Sequence, residues 1–440
     1  MTSSLGAHAL DTRLYRAKHW TERLRFCIRH LIDIEIVCLI DRPAASTEMM
    51  QADMITPIRH RVVVHFPGFE PMNAQSHYRR FKRSADAAMK VWHHAATVSP
   101  FSPDGNRPDF EIAGETAGFE TRTSIYLCDH DVLVEKLRER PVMQRILAGF
   151  QSAFWVVFYG GAFGYFRHAW RFGLFFVFPF LLMGAVLGAS FAIAAFPLWL
   201  DLPPWHYAWS VPLALIAFRV AFLPFTERFL TLHLFDDWGL ALSAARLDDR
   251  DLSDWLERCR DRLASALDEP ADEYLVSSHS MGSTFAAHVL GMVLEDNPSA
   301  LDGKKVVFLT LGGAILQCAL LRPAKTLRRR VGTIARSPAV SFIEVQCLTD
   351  IIHFYKCAVV SICGHPDAPP AGRVYIRLKA LLDPERYRRV RRDFLRVHRQ
   401  YVLNGDRRGS FDFTLLTTGP FPASLTEDFS KRNPESLERL

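Results

Sequence analysis

The sequence predicts an α/β protein in which a mostly parallel sheet is flanked by helices and interrupted by a hairpin of two apolar helices. Short apolar runs in the 440-residue chain have the length and composition of buried strands, and helical patterns lie between them. A long uncharged stretch separates the early strand from the late ones. The hydrophobic fraction of 49% indicates a protein that is part soluble and part membrane-embedded. The predicted strands are residues 61–66, 273–277, 305–310, 341–347 and 373–378.

Charge and cysteine usage argue against several classes of protein. The net charge of +6 comes with no long tail of one sign, so nucleic-acid binding is not expected. The eight cysteines are scattered, without a C-x-x-C pair or the Cys/His spacing of a zinc site, which favours a reducing compartment and no metal. The basic N-terminus is not followed by an apolar run, and this argues against a signal peptide. We expect no cofactor.

Five parts are predicted along the chain. They are a helical preface (1–57), the first part of the sheet domain (58–145), a membrane insertion (146–230), the second part of that domain (231–422) and a polar tail (423–440). Because strands on both sides of the insertion are expected to build one sheet, the chain must cross the bilayer an even number of times. No role is assigned to the preface.

Two apolar runs predict a transmembrane hairpin. Residues 172–200 contain no charged side chain and exceed the roughly 20 residues that a helix needs to cross the hydrocarbon core. A second run, 205–225, follows a turn at 201–204 and carries Arg219, which lies near its far end and can reach the headgroups. A third stretch, 146–166, is uncharged but interrupted by glycines, which suits a helix lying in the membrane interface better than a third span.

Flanking charges predict the orientation of the hairpin. Arg167 and Arg171 precede the first span and Arg228 follows the second, whereas the turn holds only Asp201 as a formal charge. By the positive-inside rule, both soluble parts lie on the cytoplasmic side of a membrane of the bacterial inner-membrane type. We therefore expect a multi-pass protein with the lipid bilayer as its partner.

A strand, a serine-centred turn and a helix follow the insertion. Residues 273–277 are predicted to form the strand and 283–294 the helix, with the sequence SHSMG at 278–282 between them. Such a tight turn leaves no room for large side chains two residues on either side of its centre, which suits Ser278 and Gly282. The alternative is a plain serine cap of the helix.

The early strand, 61–66, ends in a short loop. His65 lies in this strand, and the sequence Pro-Gly-Phe at 67–69 follows it before a helix that is expected to begin near Asn73. By themselves Pro67 and Gly68 predict a plain turn.

An acid and a histidine follow the late strands. Asp350 comes just after strand 341–347, at the sheet edge where α/β proteins gather their active sites. After the strand at 373–378, His398 is followed by an aromatic residue three positions on. If Asp350 is not part of an active site, it caps the turn that follows it. His353 and His365 are the alternatives to His398 as a base.

The serine-centred turn resembles the G-x-S-x-G motif of the α/β-hydrolase superfamily, with Ser278 in place of the first glycine. The resemblance implies that Ser280 is a nucleophile, that Asp350 is the triad acid and that His398 is the base, in the chain order of that family. It also implies a fold of the α/β-hydrolase type with the hairpin inserted into it.

The same resemblance implies an oxyanion hole and a reaction. The donors would be the backbone N–H groups of Phe69 and Met281. The residues expected to support these motifs are His65, Gly68, Ser278, His279 and Gly282. The implied function is that of a membrane-anchored serine hydrolase (lipase or esterase-like) that cleaves lipid or acyl esters through an acyl-enzyme. The alternatives are an inactive membrane-tethered scaffold of the same fold and an acyltransferase that uses the same triad.

Overall fold

The computed structural model describes residues 56–426, except 71, 104, 106 and 117. Its centre is an eight-stranded, mostly parallel sheet flanked by helices, so the predicted α/β class is confirmed. The predicted preface lies outside the described residues apart from its last two, and the predicted tail apart from its first four. Those four belong to a packed turn in which Ala423 is buried, so the domain continues past the predicted boundary at 422.

All five predicted strands are present in the sheet. The strands are β1 (His60–Phe66), β2 (Ala95–Val98), β3 (Phe110–Thr116), β4 (Phe119–Leu127), β5 (Glu273–His279), β6 (Val306–Leu311), β7 (Val340–Cys347) and β8 (Gly372–Ile376). Their order across the sheet is β2-β3-β4-β1-β5-β6-β7-β8. β3 is antiparallel to β2 and β4, and every other neighbouring pair is parallel.

Helices make most of the connections. Up to the end of the apolar region they are α1 (Ala74–Trp92), α2 (Asp131–Arg138), α3 (Val142–Phe158), α4 (Gly161–Ala194), α5 (Phe196–Trp199), α6 (Tyr207–Ala217) and α7 (Leu223–Glu227), with a π-helical turn at Phe218–Phe222. The later ones are α8 (Thr231–Arg246), α9 (Arg250–Leu267), α10 (Gly282–Asp296), α11 (Ile315–Ala319), α12 (Lys325–Arg336), α13 (Val359–Ile362), α14 (Leu378–Leu381), α15 (Pro384–Val390), α16 (Phe394–His398) and α17 (Phe413–Thr418). Short 3-10 turns lie at Pro204–His206, Arg399–Val402 and Ala423–Leu425.

Apolar clusters cover both faces of the sheet. Because side chains alternate along a strand, Val62 and Val64 of β1 enter one cluster and Val63 enters the other. All seven residues of β5 are buried. Parallel strands that are covered on both faces consist of nearly continuous apolar residues, which explains why β1 and the late strands can be recognised in the sequence.

Two apolar helical stretches, Gly161–Ala194 and Pro204–Glu227, are long enough to cross a membrane. Of the 18-residue apolar segment in each stretch, 44% is buried in the first stretch and 17% in the second. A core helix of a soluble protein would be mostly buried. Most of the second stretch therefore presents an apolar surface that the described chain does not cover.

The first of these stretches begins well before residue 172, the predicted start of the span. Its opening turns belong to the sheet domain, because Tyr165 is buried and its hydroxyl donates to the Gln317 carbonyl at 2.5 Å. Non-helical dihedral angles at Ala169 mark a kink after these turns. Packing on the sheet thus extends the helix on its N-terminal side.

The stretch predicted to lie in the interface, 146–166, is not one helix. Gly160 has a φ of 82° and separates α3 from α4. Glycine adopts this left-handed conformation without the steric cost that a Cβ would bring. One face of α3 packs on α8, where the site of a Cβ on Gly149 would be 2.2 Å from the Phe235 ring.

Candidate active site

Ser280 occupies a strained turn between β5 and α10. Its φ is 53°, a left-handed conformation that costs a non-glycine residue about 1–2 kcal/mol. Its N–H donates to the Leu311 carbonyl at 3.1 Å, and its own carbonyl accepts from Ser283 and Ala314 at 3.0 Å each. Ser280 is partly exposed although the whole of β5 is buried. The turn therefore holds one hydroxyl at the end of a rigid strand.

The loop after β1 lies directly against this turn. A Cβ on Gly282 would come within 2.3 Å of the Phe66 and Pro67 carbonyl oxygens. A Cβ on Gly68 would lie 3.1 Å from the Cβ of Ser280. Both glycines are needed for this approach, as the motif predicts for Gly282. Any larger residue at either position would push the loop away from the hydroxyl.

Two backbone donors flank the turn. No described residue accepts a hydrogen bond from the N–H of Phe69 or of Met281, the two groups expected to form the oxyanion hole. Ser278, which replaces a glycine of the motif, is buried and donates to the Leu309 carbonyl at 3.0 Å. Its small side chain is thus accommodated without displacing the turn.

His65 supports the strands rather than the serine. Its Nδ1 lies 2.6 Å from the Ser277 hydroxyl, and its ring packs edge-on against Phe81. Burial, together with nearby positive groups, lowers its pKa well below the usual value. The residue therefore links β1 to β5 beneath the loop as a neutral imidazole.

Asp350 and His398 are in direct contact. Asp350 follows β7, His398 ends α16, and Nδ1 of the histidine lies 2.7 Å from Oδ2 of the carboxylate. The other carboxylate oxygen accepts the N–H of Ile352 at 2.9 Å. Burial opposes ionisation of Asp350, but the charges and hydrogen bonds of His398 and His353 outweigh it and lower the pKa. Asp350 thus both caps its own turn and binds the imidazole.

A second imidazole shares the same carboxylate. Nδ1 of His353 lies 3.3 Å from Oδ2 of Asp350, and the residue is buried. Of the alternative bases, His353 therefore lies at the site, beside the acid. His365 does not, because its Nε2 lies 2.8 Å from the Arg328 carbonyl on α12.

His398 lies against the residue that precedes the serine. The rings of His279 and His398 are 4.7 Å apart, and Nε2 of His279 lies 2.9 Å from the His398 carbonyl. The outer nitrogen of His398, Nε2, is buried and has no partner in the described chain. No hydrogen bond joins it to the Ser280 hydroxyl among the described residues.

Charged groups surround Glu70, which lies in the loop that follows β1 (residues 67–70). Glu70 is buried, forms an ion pair with Arg80, and has Arg399 at 3.6 Å. Burial would raise its pKa, but the two arginines and His279 lower it to about 2. Burial and the charge of His398 lower the pKa of His279 to about 3. Since a carbonyl only accepts, Nε2 of this neutral histidine carries the proton.

Asp237 is a site residue without a sequence prediction. It lies on α8, where its Oδ2 accepts from the Gln317 side chain at 3.0 Å. Burial raises its pKa to about 6, although the Gln317 bond and the charge of His398 act in the opposite direction. The sequence signal is an aspartate pair, 236–237, inside an otherwise apolar helix.

The described residues hold no metal cluster, and a surface cavity lies on the far side of the sheet from Ser280. No group of three or more His, Cys, Asp or Glu residues in the described chain could hold a metal ion. A surface cavity of about 240 Å³ is lined by Val340, Ser341 and Gly372 at the amino-terminal ends of β7 and β8, the sheet edge opposite Ser280. The candidate site therefore rests on the carboxyl-terminal edge of the sheet.

Comparison with known proteins finds no family model, no curated protein and no solved structure that matches this chain. The geometry of the site must therefore be interpreted through its own contacts and chemistry.

Proposed function

We propose that the protein is a membrane-anchored serine hydrolase with a fold of the α/β-hydrolase type, which cleaves lipid or acyl esters at Ser280. One observation carries this proposal: a serine held in a left-handed strand-to-helix turn follows His279, whose ring lies 4.7 Å from that of His398, a histidine that a buried carboxylate orients. A serine hydroxyl is a weak nucleophile until a base removes its proton, and this arrangement supplies that base.

The topology supports the proposal. Ser280 follows β5, Asp350 follows β7, and the loop proposed to bind the oxyanion, residues 67–70, follows β1. All three strands are parallel, so these residues meet at one sheet edge. The chain leaves β1 for strands on one side and later returns to build β5 to β8 on the other. Ligands of open α/β sheets bind at such a switch point.

A conventional acyl transfer follows from this geometry. His398 Nε2 takes the Ser280 proton as the serine oxygen attacks the ester carbonyl, while Asp350 stabilises the charged imidazole. The N–H groups of Phe69 and Met281 stabilise the oxyanion. The alcohol leaves with the proton held by His398. Water then attacks the acyl-enzyme by the same route and releases the acid.

The apolar helices favour a membrane-partitioned substrate. Their uncovered surface supports two crossings, with Trp199 and Trp205 62% and 66% exposed at the turn between them. Arg167, Arg171 and Arg228 favour a cytoplasmic position for the sheet domain. A site held at the bilayer surface can accept an ester that never leaves the lipid. Resistance of the membrane-bound chain to alkaline carbonate extraction tests this anchoring, and release into the supernatant would contradict it.

Hydrolysis of nitrophenyl esters of graded acyl length tests the chemistry. The full chain is compared in detergent micelles with Ser280→Ala, His398→Ala and the control Ser341→Ala, which changes an exposed serine at the opposite sheet edge. We expect the first two variants to lose at least about a thousandfold in kcat and the control to keep its activity. Equal activity in wild type and Ser280→Ala would support the inactive scaffold instead.

A further inference from the structure

We propose that His233 is a positioning residue that holds Phe69 in place, so that the N–H of Phe69 points at the oxyanion. Residues 67–70 are called the oxyanion loop below. The catalytic part of this inference rests on the proposed function, whereas the positioning part is a statement about the loop itself. His233 lies on α8, in the first turn after the apolar helices.

Phe69 is held at two points. Nε2 of His233 lies 3.0 Å from the Phe69 carbonyl oxygen. The rings of His233 and Phe69 stack at 4.6 Å, and the ring of His130 stacks on Phe69 at 6.1 Å. A residue whose ring and carbonyl are both fixed has little freedom to rotate its own N–H, and precise placement of such donors decides their effect on rate.

The chemistry of His233 suits a permanent donor. The Phe69 carbonyl can only accept, so Nε2 must carry the proton. Burial, together with the charges of Arg138, Arg145 and Arg399, lowers the pKa of His233 to about 4, and the bond to Phe69 acts in the opposite direction. The neutral imidazole therefore keeps one N–H for the carbonyl throughout the neutral pH range.

The helix that carries His233 is itself anchored to the apolar helices. Phe235 stacks on Phe180 of α4 at 4.8 Å with an interplanar angle of 11°. Asp236 forms an ion pair with Arg145 of α3 at 2.5 Å. The position of His233 is thus set by packing on the membrane insertion. Helix α8 therefore links that insertion to the oxyanion loop.

Two substitutions separate the hydrogen bond from the ring contact. His233→Phe keeps an aromatic ring for stacking and removes the donor, whereas His233→Gln restores a side-chain N–H at similar reach. His365→Phe is the matched control, because it removes the same kind of imidazole contact to a carbonyl, at Arg328, far from the loop. Each variant is measured for ester kcat and KM and for amide hydrogen exchange in residues 68–70, because Pro67 has no amide hydrogen.

The expected result for His233→Phe is a fall in kcat of about tenfold to a hundredfold, with KM within about twofold and faster exchange in the oxyanion loop. His233→Gln should recover most of the kcat and the slow exchange, and His365→Phe should leave both unchanged. Unaltered loop exchange in His233→Phe would overturn the inference, as would a glutamine variant no better than phenylalanine. If the wild type has no esterase activity, the proposed function fails, and loop exchange alone still decides the positioning role.

Discussion

Two neighbouring strand-to-helix turns each contain one residue with the same left-handed φ, but the residue differs between them. β5 turns into α10 at Ser280 and β6 turns towards α11 at Gly312, and both residues have a φ of 53°. At Gly312 a Cβ would lie 2.5 Å from the Tyr401 ring, so both space and conformation require glycine. At Ser280 a residue with a side chain adopts the same left-handed φ. Strain of this kind, which glycine would relieve, is common at functional sites.

The largest expected effect concerns activation of that hydroxyl. Asp350→Asn keeps the shape of the acid but removes the charge that favours the imidazolium and allows the wrong tautomer of His398. We expect kcat to fall by on the order of 10⁴, measured by steady-state ester hydrolysis. Asp367→Asn, a change at an exposed aspartate paired with Arg336, is the control. A loss smaller than tenfold would show that Asp350 only caps its turn.

Gly312→Ser gives the second turn the side chain of the first. The new Cβ meets the buried Tyr401 ring and adopts an unfavourable φ, so we expect the free energy of unfolding to fall by about 3 kcal/mol. Chemical denaturation measures this change. Gly303→Ser is a useful comparison, because Gly303 also has a positive φ but has open space at its Cβ position. Equal losses at both positions would mean that contact with Tyr401 contributes nothing.

Asp237 should make stability depend on pH. Because its pKa is raised to about 6 in the folded protein, the folded state binds the proton more tightly than the unfolded state. The contribution of Asp237 to stability is then greatest below about pH 4 and is lost as the pH rises through 6, by on the order of 2 kcal/mol. Asp237→Asn should therefore be more stable than wild type at pH 7.5, with the difference vanishing near pH 4. Thermal melts across this range check the sign, and a destabilised variant at pH 7.5 would contradict it.

Ser280→Gly makes the first turn like the second. Relief of the left-handed strain should raise the free energy of unfolding by about 1 kcal/mol, while ester hydrolysis is lost. Ser280→Ala, which keeps a Cβ, should lose activity without that gain in stability. A glycine variant less stable than the alanine variant would remove the argument from strain.

The sequence predicts the strands whose residues form a clear local pattern. β1 and β5 to β7 are covered on both faces and appear as apolar runs, whereas β3, the second strand from the sheet edge, alternates Glu111 and Glu115 with buried residues and has no such run. Ser280 could be found because its turn imposes small neighbours. The pairing of Asp350 with His398 could be proposed only through the family resemblance, since 48 residues separate them.

Two residues on α8 have contacts that no local pattern predicts. His233 and Asp237 lie one helical turn apart on α8, and their roles follow from long-range packing against Phe69 and Gln317. The extent of α4 has a related cause. The predicted span starts at residue 172, where charged residues end, but the helix itself extends to Gly161 because its first turns pack on the sheet domain.

Mapping of a fluorophosphonate adduct by mass spectrometry tests the central claim most directly. The probe reacts only with a serine that a neighbouring base activates, so the account predicts a single modified residue, Ser280, and much slower labelling in His398→Ala. An unlabelled wild-type protein, or an adduct on a serine elsewhere in the chain, would contradict it.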